Sequence, residues 1–232
     1  MKILALETSA KACSAAVTEN GRVVASAFQC TGLTHSRTLM PMVEDMLRNA
    51  DLSLSDCDVI AIANGPGSFT GIRIGIAAAK GLAFAAEKPM AGISTLEAMA
   101  MNCLGTAGLI VCAMDARRQQ VYNALFLSDG NHLTRISPDR PIALSELAEE
   151  VRNCTEKHIV VVGDGAQLCC NYLTEAGIPC VPAPPHLLQQ NAVTVALAAE
   201  HAAAAGCLCS AQDLEAVYLR AAQADKLKTQ KR

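Results

Sequence analysis

Apolar and polar positions along the first third of the chain predict a strand, a hairpin and a helix. We predict a strand at residues 2–8, around an apolar run at residues 3–6. Residues 13–18 and 22–29 flank Glu19-Asn20-Gly21, and Asn-Gly favours the positive φ angles of a tight hairpin turn. After Gly32 the apolar residues recur at helical spacing, at Leu39, Met42, Val43, Met46 and Leu47, and Pro41 must lie in the early turns of that helix or kink it.

The next segments extend this start into an alternating pattern. We predict a strand at residues 58–63, a turn at 64–68, a helix from about 70 to 86, a strand at 89–93 and a helix from Ser94. The second half repeats the order, with strands at 109–115, 120–127 and 133–136, then a helix at 144–153, a strand at 158–162, a helix at 166–176, a strand at 178–181 and a helix at 191–205.

Two consecutive β-β-β-α-β-α units are typical of a duplicated ribonuclease-H-like fold, the actin-like ATPase (ASKHA) class, with one unit on each side of a cleft. We therefore predict an α/β protein with two lobes. Residues 1–105 would form the N-terminal lobe, and residues 106–232 a reduced C-terminal lobe with a tail.

Composition narrows the functional classes. The 232 residues are 51% hydrophobic, which suffices for a sizeable core, and the formal net charge is −3. Aromatic residues make up 3% and Trp is absent, so autonomous nucleic-acid binding is not expected. The basic cluster is the tail, with Lys226, Lys228, Lys231 and Arg232, and it reads as solvated chain. No signal-peptide pattern or membrane span is predicted, and the eleven cysteines lack a CxxC pair, so we expect reduced thiols in the cytoplasm.

Two segments carry candidate chemistry. Glu7 and Thr8 end the first strand, where a carboxylate could bind Mg²⁺ through water or merely face a polar cleft. The loop Gly65-Pro66-Gly67-Ser68-Phe69-Thr70-Gly71 precedes a helix whose N-terminal N–H groups could bind an anion; a tight turn for close helix packing is the equal alternative. The loop is not a Walker A motif, because no Lys-Ser/Thr pair closes it. The candidate nucleotide or anion site is Glu7, Thr8, Gly65, Gly67 and Ser68.

The helix after this loop carries small residues at Gly71, Gly75 and Ala79. Glycine costs about 0.8–1 kcal/mol relative to alanine inside a helix, so these positions need a packing reason, either within the chain or against a partner helix. No two histidines have the i, i+4 spacing of a helical metal site, and no serine lies in a Gly-x-Ser-x-Gly elbow. We therefore expect no metal and no catalytic residues.

Five segments spread over nearly the whole chain carry the motif residues of one known family. The most specific is residues 60–75, continued at 79–83 and Pro89. The others are residues 6–9, 35–42, 114–118 with Val121-Tyr122, and 217–220. In these segments the chain resembles the TsaB (YeaZ-like) family of tRNA threonylcarbamoyladenosine biosynthesis proteins. One departure is Gln120, where the family pattern has an acidic residue. The catalytic paralogue TsaD carries a His-x-x-x-His metal motif after the next strand, whereas Thr95 and Met99 stand at those positions here.

The resemblance implies a non-catalytic subunit that pairs with TsaD and is joined by the ATPase TsaE, for threonylcarbamoylation of adenosine 37 in tRNAs reading codons that begin with A. It implies no cofactor of its own, ATP or ADP and a divalent metal in the wider complex, tRNA contact only through the complex, and a homodimer when alone. The implied partner interface is Leu39, Met42, Val43, Met46, Ile72, Gly75, Ile76 and Ala79.

Two enzymatic alternatives remain open. A small actin-like-fold phosphotransferase or ATPase would use Glu7 and the Gly65 loop, and would need a second phosphate loop, for which Gly163-Asp164-Gly165 is the candidate. A metallopeptidase would need the histidine pair that Thr95 and Met99 replace.

Overall fold

The computed structural model describes residues 1–220. The strands of the first half of the chain form a five-stranded mixed sheet. Its order is β3-β2-β1-β4-β5, with the two end strands contributed by the hairpin and by the last strand of the half. β1 is antiparallel to β2 and parallel to β4, and β4 is parallel to β5. The strands are β1 (Lys2–Glu7), β2 (Cys13–Glu19), β3 (Arg22–Gln29), β4 (Val59–Gly65) and β5 (Met90–Ser94).

Two helices cover one face of this sheet. They are α1 (His35–Asn49), which contains Pro41, and α2 (Phe69–Ala86). Their apolar faces pack on Leu4, Leu6, Ile60 and Ile62 of β1 and β4, and together they form the core of this side of the lobe. Removal of this apolar surface from water is the main stabilising contribution to the lobe.

A second mixed sheet repeats the pattern, with order β11-β10-β6-β7-β8 and β9 paired to β7. β6 is antiparallel to β7 and parallel to β10, as β1 is to β2 and β4. Its elements are β6 (Ala107–Asp115), β7 (Gln120–Asp129), β8 (Leu133–Arg135), β9 (Arg140–Ala143), α4 (Leu144–Asn153), β10 (Ile159–Val162), α5 (Ala166–Glu175) and β11 (Val181–Pro182). The duplicated α/β prediction is confirmed. The four-residue β9 was not predicted, because it is too short for its alternation to stand out.

The remaining two helices, α3 (Thr95–Met101) and α6 (Ala192–Ala204), pack across the boundary between the halves. α6 packs on the back of the first sheet, where Val195 and Ala199 belong to the cluster around Ile3. α3 lies between the two sheets: Ala98 and Met101 belong to the cluster around Ile3, and Leu96 and Met99 to the cluster around Ile110. A boundary at residue 105 therefore separates the two sheets but not the helices that cover them.

The end of the described chain also returns to the first lobe. Cys209 pairs with Met90 at the edge of the first sheet, and Leu214 lies in the core beneath α2. The Val217 N–H donates to the carbonyl oxygen of Asn64 at 2.8 Å. The basic cluster predicted at Lys226, Lys228, Lys231 and Arg232 lies outside the described residues.

Length and composition alone would let α2 cross a membrane, and it is the one helix of residues 1–220 that passes that test. One face of α2, with Ile72, Ile76 and Ala79, is buried in the core of the first lobe. Packing on the sheet therefore accounts for its apolar composition.

Candidate functional site

Glu7 ends β1 at the junction between the two lobes and is fully buried. The Ser9 backbone N–H donates to Glu7 Oε1, and Glu7 Oε2 has no hydrogen-bond partner within residues 1–220. Burial raises the pKa of Glu7 from 4.5 to about 7, and hydrogen bonding by Ser9 offsets only part of this effect. Glu7 is therefore a carboxyl group shielded from water, and near neutral pH both its protonated and its ionised forms are populated.

Asp164 faces the same junction from the second lobe, in the turn that follows β10. Burial raises its pKa above the usual range, and a hydrogen bond from Gln190 lowers it in part. Gln190 Nε2 donates to Asp164 Oδ1 at 3.2 Å and contacts Met99 Sδ at 3.3 Å. Asp164 lies near enough to Glu7 to make a small contribution to the raised pKa of Glu7.

Met99 packs against Gln190 and against the turn that carries Asp164. Its methyl carbon lies only 2.3 Å from the position that a Cβ on Gly163 would take, so the turn after β10 closes directly over this side chain. Thr95, one turn earlier on α3, is also fully buried, and its hydroxyl has no partner in the described part of the chain. Across residues 1–220, no group of three His, Cys, Asp or Glu side chains is placed to hold a metal.

The Gly65 loop approaches the backbone of its own chain. A Cβ on Gly65, whose φ is +131°, would lie 2.2 Å from the carbonyl oxygen of Val217. A Cβ on Gly67 would lie 2.4 Å from the carbonyl oxygen of Ser9, to which the Ser68 N–H donates at 2.7 Å. Ser68 then caps α2 by accepting a hydrogen bond from the Gly71 N–H at 3.3 Å. Close packing of the loop therefore explains these glycines, and anion binding remains an untested prediction.

The small residues of α2 serve a contact inside the lobe. Thr8 Oγ1 donates to the carbonyl oxygen of Gly71 at 2.8 Å. A Cβ on Gly75 would lie 2.2 Å from Thr8 Oγ1 and 2.9 Å from Ile62 Cδ1, distances that real Cβ atoms do not show. Of the two packing reasons open from sequence, the contact within the chain therefore accounts for Gly75, because β1 and β4 occupy the space beside it.

The other predicted interface residues also pack inside the lobe. Met42 is partly buried against the core of the lobe. The other six are buried within that core: Leu39, Val43, Met46, Ile72, Ile76 and Ala79. The exposed faces of α1 and α2 carry different residues, among them Met40, Arg73, Ala77, Gly81 and Phe84. Helical periodicity marks the apolar face that packs on the chain's own sheet, and this face is a different one from the exposed face that a partner can reach.

Residues 217–220, here called the closing segment, extend the exposed face of α2. Tyr218 packs on Phe69 with 4.9 Å between the ring centroids. The Arg73 guanidinium lies 3.7 Å from the centroid of Phe69, and Arg73 Nε donates to the Tyr218 hydroxyl at 3.1 Å. Arg220 Nη1 donates to the carbonyl oxygen of Ala116, so this segment ties α2 to the second lobe. Sequence reasoning found the 217–220 motif but not its partners Phe69 and Arg73.

A second feature missed from sequence is the loop between β6 and β7. Arg117, Arg118 and Gln119 have φ angles of +65°, +56° and +57°. The Asp115 carboxylate holds this turn by accepting from the Arg117 N–H at 2.7 Å and from its guanidinium at 3.1 Å. The left-handed conformation costs about 1–2 kcal/mol for each non-glycine residue, and such strain clusters at functional sites. The motif at residues 114–118, which carries part of the family resemblance, was the sequence signal that could have indicated this loop.

Solved structures share this architecture. The structure of YeaZ from Pseudomonas aeruginosa superimposes with a TM-score of 0.80 at 30% identity, covering 94% of this chain and 99% of that one. The (R)-2-hydroxyglutaryl-CoA dehydratase component A of Acidaminococcus fermentans matches with a TM-score of 0.50 at 15% identity, over 88% of this chain and 99% of that one, which reports on the fold alone. Two mixed sheets on either side of a cleft place this protein in the actin-like ATPase (ASKHA) fold class.

Sequence comparisons identify the family within that class. Residues 29–169 match the family model described as "TsaD: tRNA N6-adenosine threonylcarbamoyltransferase". The tRNA threonylcarbamoyladenosine biosynthesis protein TsaB of Escherichia coli K12 is 37% identical over 180 residues, covering 77% of this chain and 78% of the relative. TsaB of Bacillus subtilis 168 is 33% identical, covering 72% and 73%. The chain belongs to the TsaB (YeaZ) family, which is related to TsaD, and the family resemblance is confirmed.

Proposed function

We propose that this protein is a non-catalytic subunit of the machinery that makes N6-threonylcarbamoyladenosine at position 37 of tRNAs reading codons that begin with A. It binds and supports TsaD, and the ATPase TsaE joins the pair. The relatives at 33–37% identity that cover most of the chain carry the name of tRNA threonylcarbamoyladenosine biosynthesis proteins. Their shared name supports a role in threonylcarbamoyladenosine synthesis. The residues at positions 95 and 99 support a subunit without catalytic activity of its own.

The observation that carries the non-catalytic role is Met99. Its side chain packs against Gly163 and Gln190, at a position where the resemblance expects a metal ligand in TsaD. A thioether is a poor ligand for a hard or borderline divalent cation, and Thr95 supplies only a hydroxyl. Neither side chain offers the ligand that a catalytic metal would need at these two positions.

The proposed contact with TsaD is the exposed face of α1 and α2 together with the closing segment. Phe84 is 78% exposed and Met40 is 42% exposed on these helices, and an apolar face of this kind favours cover by a partner. A second copy of the chain covers the same face when TsaD is absent. In this proposal the protein is cytoplasmic and holds no cofactor of its own. ATP or ADP and a divalent metal bind elsewhere in the wider complex, and this chain contacts tRNA only through that complex.

Reconstitution tests the proposal. The full chain is mixed with TsaD, TsaE, ATP, threonylcarbamoyl adenylate and unmodified tRNA, and the modified nucleoside is measured by mass spectrometry. We expect modification only when this chain and TsaD are both present, and none from this chain alone. Turnover by the purified chain alone, lost in Glu7→Ala, would contradict the proposal and favour the phosphotransferase alternative.

A point variant tests the face. Gly81 is exposed, and a Cβ there would meet no atom within 4 Å, so Gly81→Leu leaves the lobe intact while adding bulk to the proposed contact. We expect weaker co-elution with TsaD and a melting temperature no lower than that of the parent chain, because leucine is a better helix former than glycine. As a matched control, Glu149→Gln on the exposed side of α4 alters a surface in the second lobe, and it is expected to co-elute like the parent chain. Undiminished co-elution of folded Gly81→Leu would place the interface elsewhere.

A further inference from the structure

Two thiols of the second lobe lie in contact without a bond between them. Cys170 is on α5 and Cys180 lies just before β11, and both are free cysteines. The Cys180 Sγ lies 3.9 Å from the carbonyl oxygen of Cys170. Cys180 packs against the core cluster that contains Cys170. The Cys180 side chain is therefore directed at Cys170, as a disulfide between the two residues requires.

The backbone between the two cysteines holds this contact in place. The Ile178 N–H donates to the Leu173 carbonyl at 2.8 Å and the Gly177 N–H to the Thr174 carbonyl at 3.0 Å, with Gly177 at φ +76°. This is the Schellman arrangement of a helix C-terminus, and it turns the chain back along α5. Val181 then pairs with Val160 in the sheet. Because both ends of the segment are bonded, the thiol contact is a property of the fold.

The two thiols differ in access. Cys170 is 6% exposed, whereas Cys180 is only partly buried and can be reached from solvent. Burial, with a smaller contribution from Cys180, raises the pKa of Cys170 to about 12, so Cys170 stays a thiol at neutral pH. Oxidation would therefore begin at Cys180.

We propose that Cys170 and Cys180 form a reversible disulfide when the folded protein meets a peroxide, which locks α5 to the edge of the second sheet. The Cys180 thiolate attacks one oxygen of hydrogen peroxide; the O–O bond breaks, hydroxide leaves, and Cys180 becomes a sulfenic acid. The Cys170 sulfur then attacks the Cys180 sulfur and loses its proton, the S–O bond breaks, and water leaves. Two thiols are oxidised and one peroxide is reduced to two waters, and a dithiol reductant reverses the bond.

Glu175 provides a direct test, because it lies between the two cysteines in the chain. The folded full-length protein is treated with hydrogen peroxide, blocked with N-ethylmaleimide, unfolded and cleaved after glutamate without reduction. Peptide 157–175 contains Cys169 and Cys170, and peptide 176–200 contains Cys180 alone. We expect these two peptides to be joined, with a mass two hydrogens below their sum, and to separate after reduction.

Variants assign the bond to the proposed pair. Cys169→Ser is the matched control and should still give the joined peptides, whereas Cys170→Ala and Cys180→Ser should reduce them at least tenfold. Circular dichroism of each reduced variant shows that it is folded. Absence of the joined peptides in the parent chain overturns the proposal, and so does their formation at parental yield in Cys170→Ala, which would make Cys169 the partner.

The melting temperature gives an independent readout. A bond across a loop of about ten residues limits the unfolded chain, so the oxidised parent should melt on the order of 5 °C above the reduced parent. Cys170→Ala should show no such rise after the same treatment. An equal rise in that variant would assign the stabilisation to other cysteines and contradict the proposed lock.

Discussion

Replacing Glu7 by glutamine should stabilise the protein at alkaline pH and have little effect near pH 5. The folded chain holds this carboxyl with a pKa of about 7, against 4.5 in water. At about 1.4 kcal/mol per pKa unit, ionised Glu7 costs the folded state about 3 kcal/mol. Glutamine presents an N–H donor where protonated Glu7 presents its O–H, and it cannot ionise, so the cost disappears in the variant.

The direction of the pH dependence follows from proton binding. Above pH 4.5 the unfolded chain releases the Glu7 proton while the folded chain keeps it until about pH 7. The unfolded state then binds fewer protons, so the Glu7 contribution to stability falls as pH rises from about 4.5 to 7 and is constant above that range. Asp164, whose pKa burial also raises, adds a contribution of the same sign.

The assay is the melting temperature of both proteins between pH 5 and pH 8.5. For a chain of this length 1 kcal/mol corresponds to about 2–4 °C, so Glu7→Gln should melt about 6–12 °C above the parent at pH 8. The difference should shrink towards zero near pH 5. Glu149→Gln, on the solvent face of α4, is the matched control and should show a difference of under about 2 °C throughout. A difference for Glu7→Gln that is independent of pH would refute the reasoning.

Two further predictions concern α2. Gly75→Leu should destabilise the isolated chain by more than about 3 kcal/mol, because its side chain would overlap Thr8 and Ile62 beyond ordinary overpacking; a melting temperature within 3 °C of the parent would contradict this. Tyr218→Phe removes only the hydroxyl that accepts from Arg73 and should cost about 1 kcal/mol, whereas Tyr218→Ala also removes the packing on Phe69 and should cost about 2 kcal/mol, as measured by urea unfolding. Equal effects of the two Tyr218 variants would show that the ring contact contributes nothing.

Local sequence determined the elements whose signals are short-range. Asn20 and Gly21 have φ angles of +49° and +75°, the hairpin turn that their residue types favour. The helix predicted at residues 144–153 has those bounds in the structure, because its apolar positions repeat with a clear helical period. The order of such elements in the two halves was enough to predict the duplicated fold, and motif residues distributed along the chain indicated the family.

The tertiary structure decided what each predicted side chain faces. The spacing of the small residues along α2 is the same whether they contact a partner helix or Thr8 of the same chain. The short distance between α2 and β1 shows that they contact Thr8. The packing of α6 on the first sheet and of α3 between the two sheets likewise depends on contacts far apart in sequence. The burial of Glu7 likewise depends on the packed fold, and the contact of Cys180 with Cys170 follows from the turn after α5. Spacing along a chain specifies which residues share a face, but burial, pKa and contact depend on distances in space that only the packed fold sets.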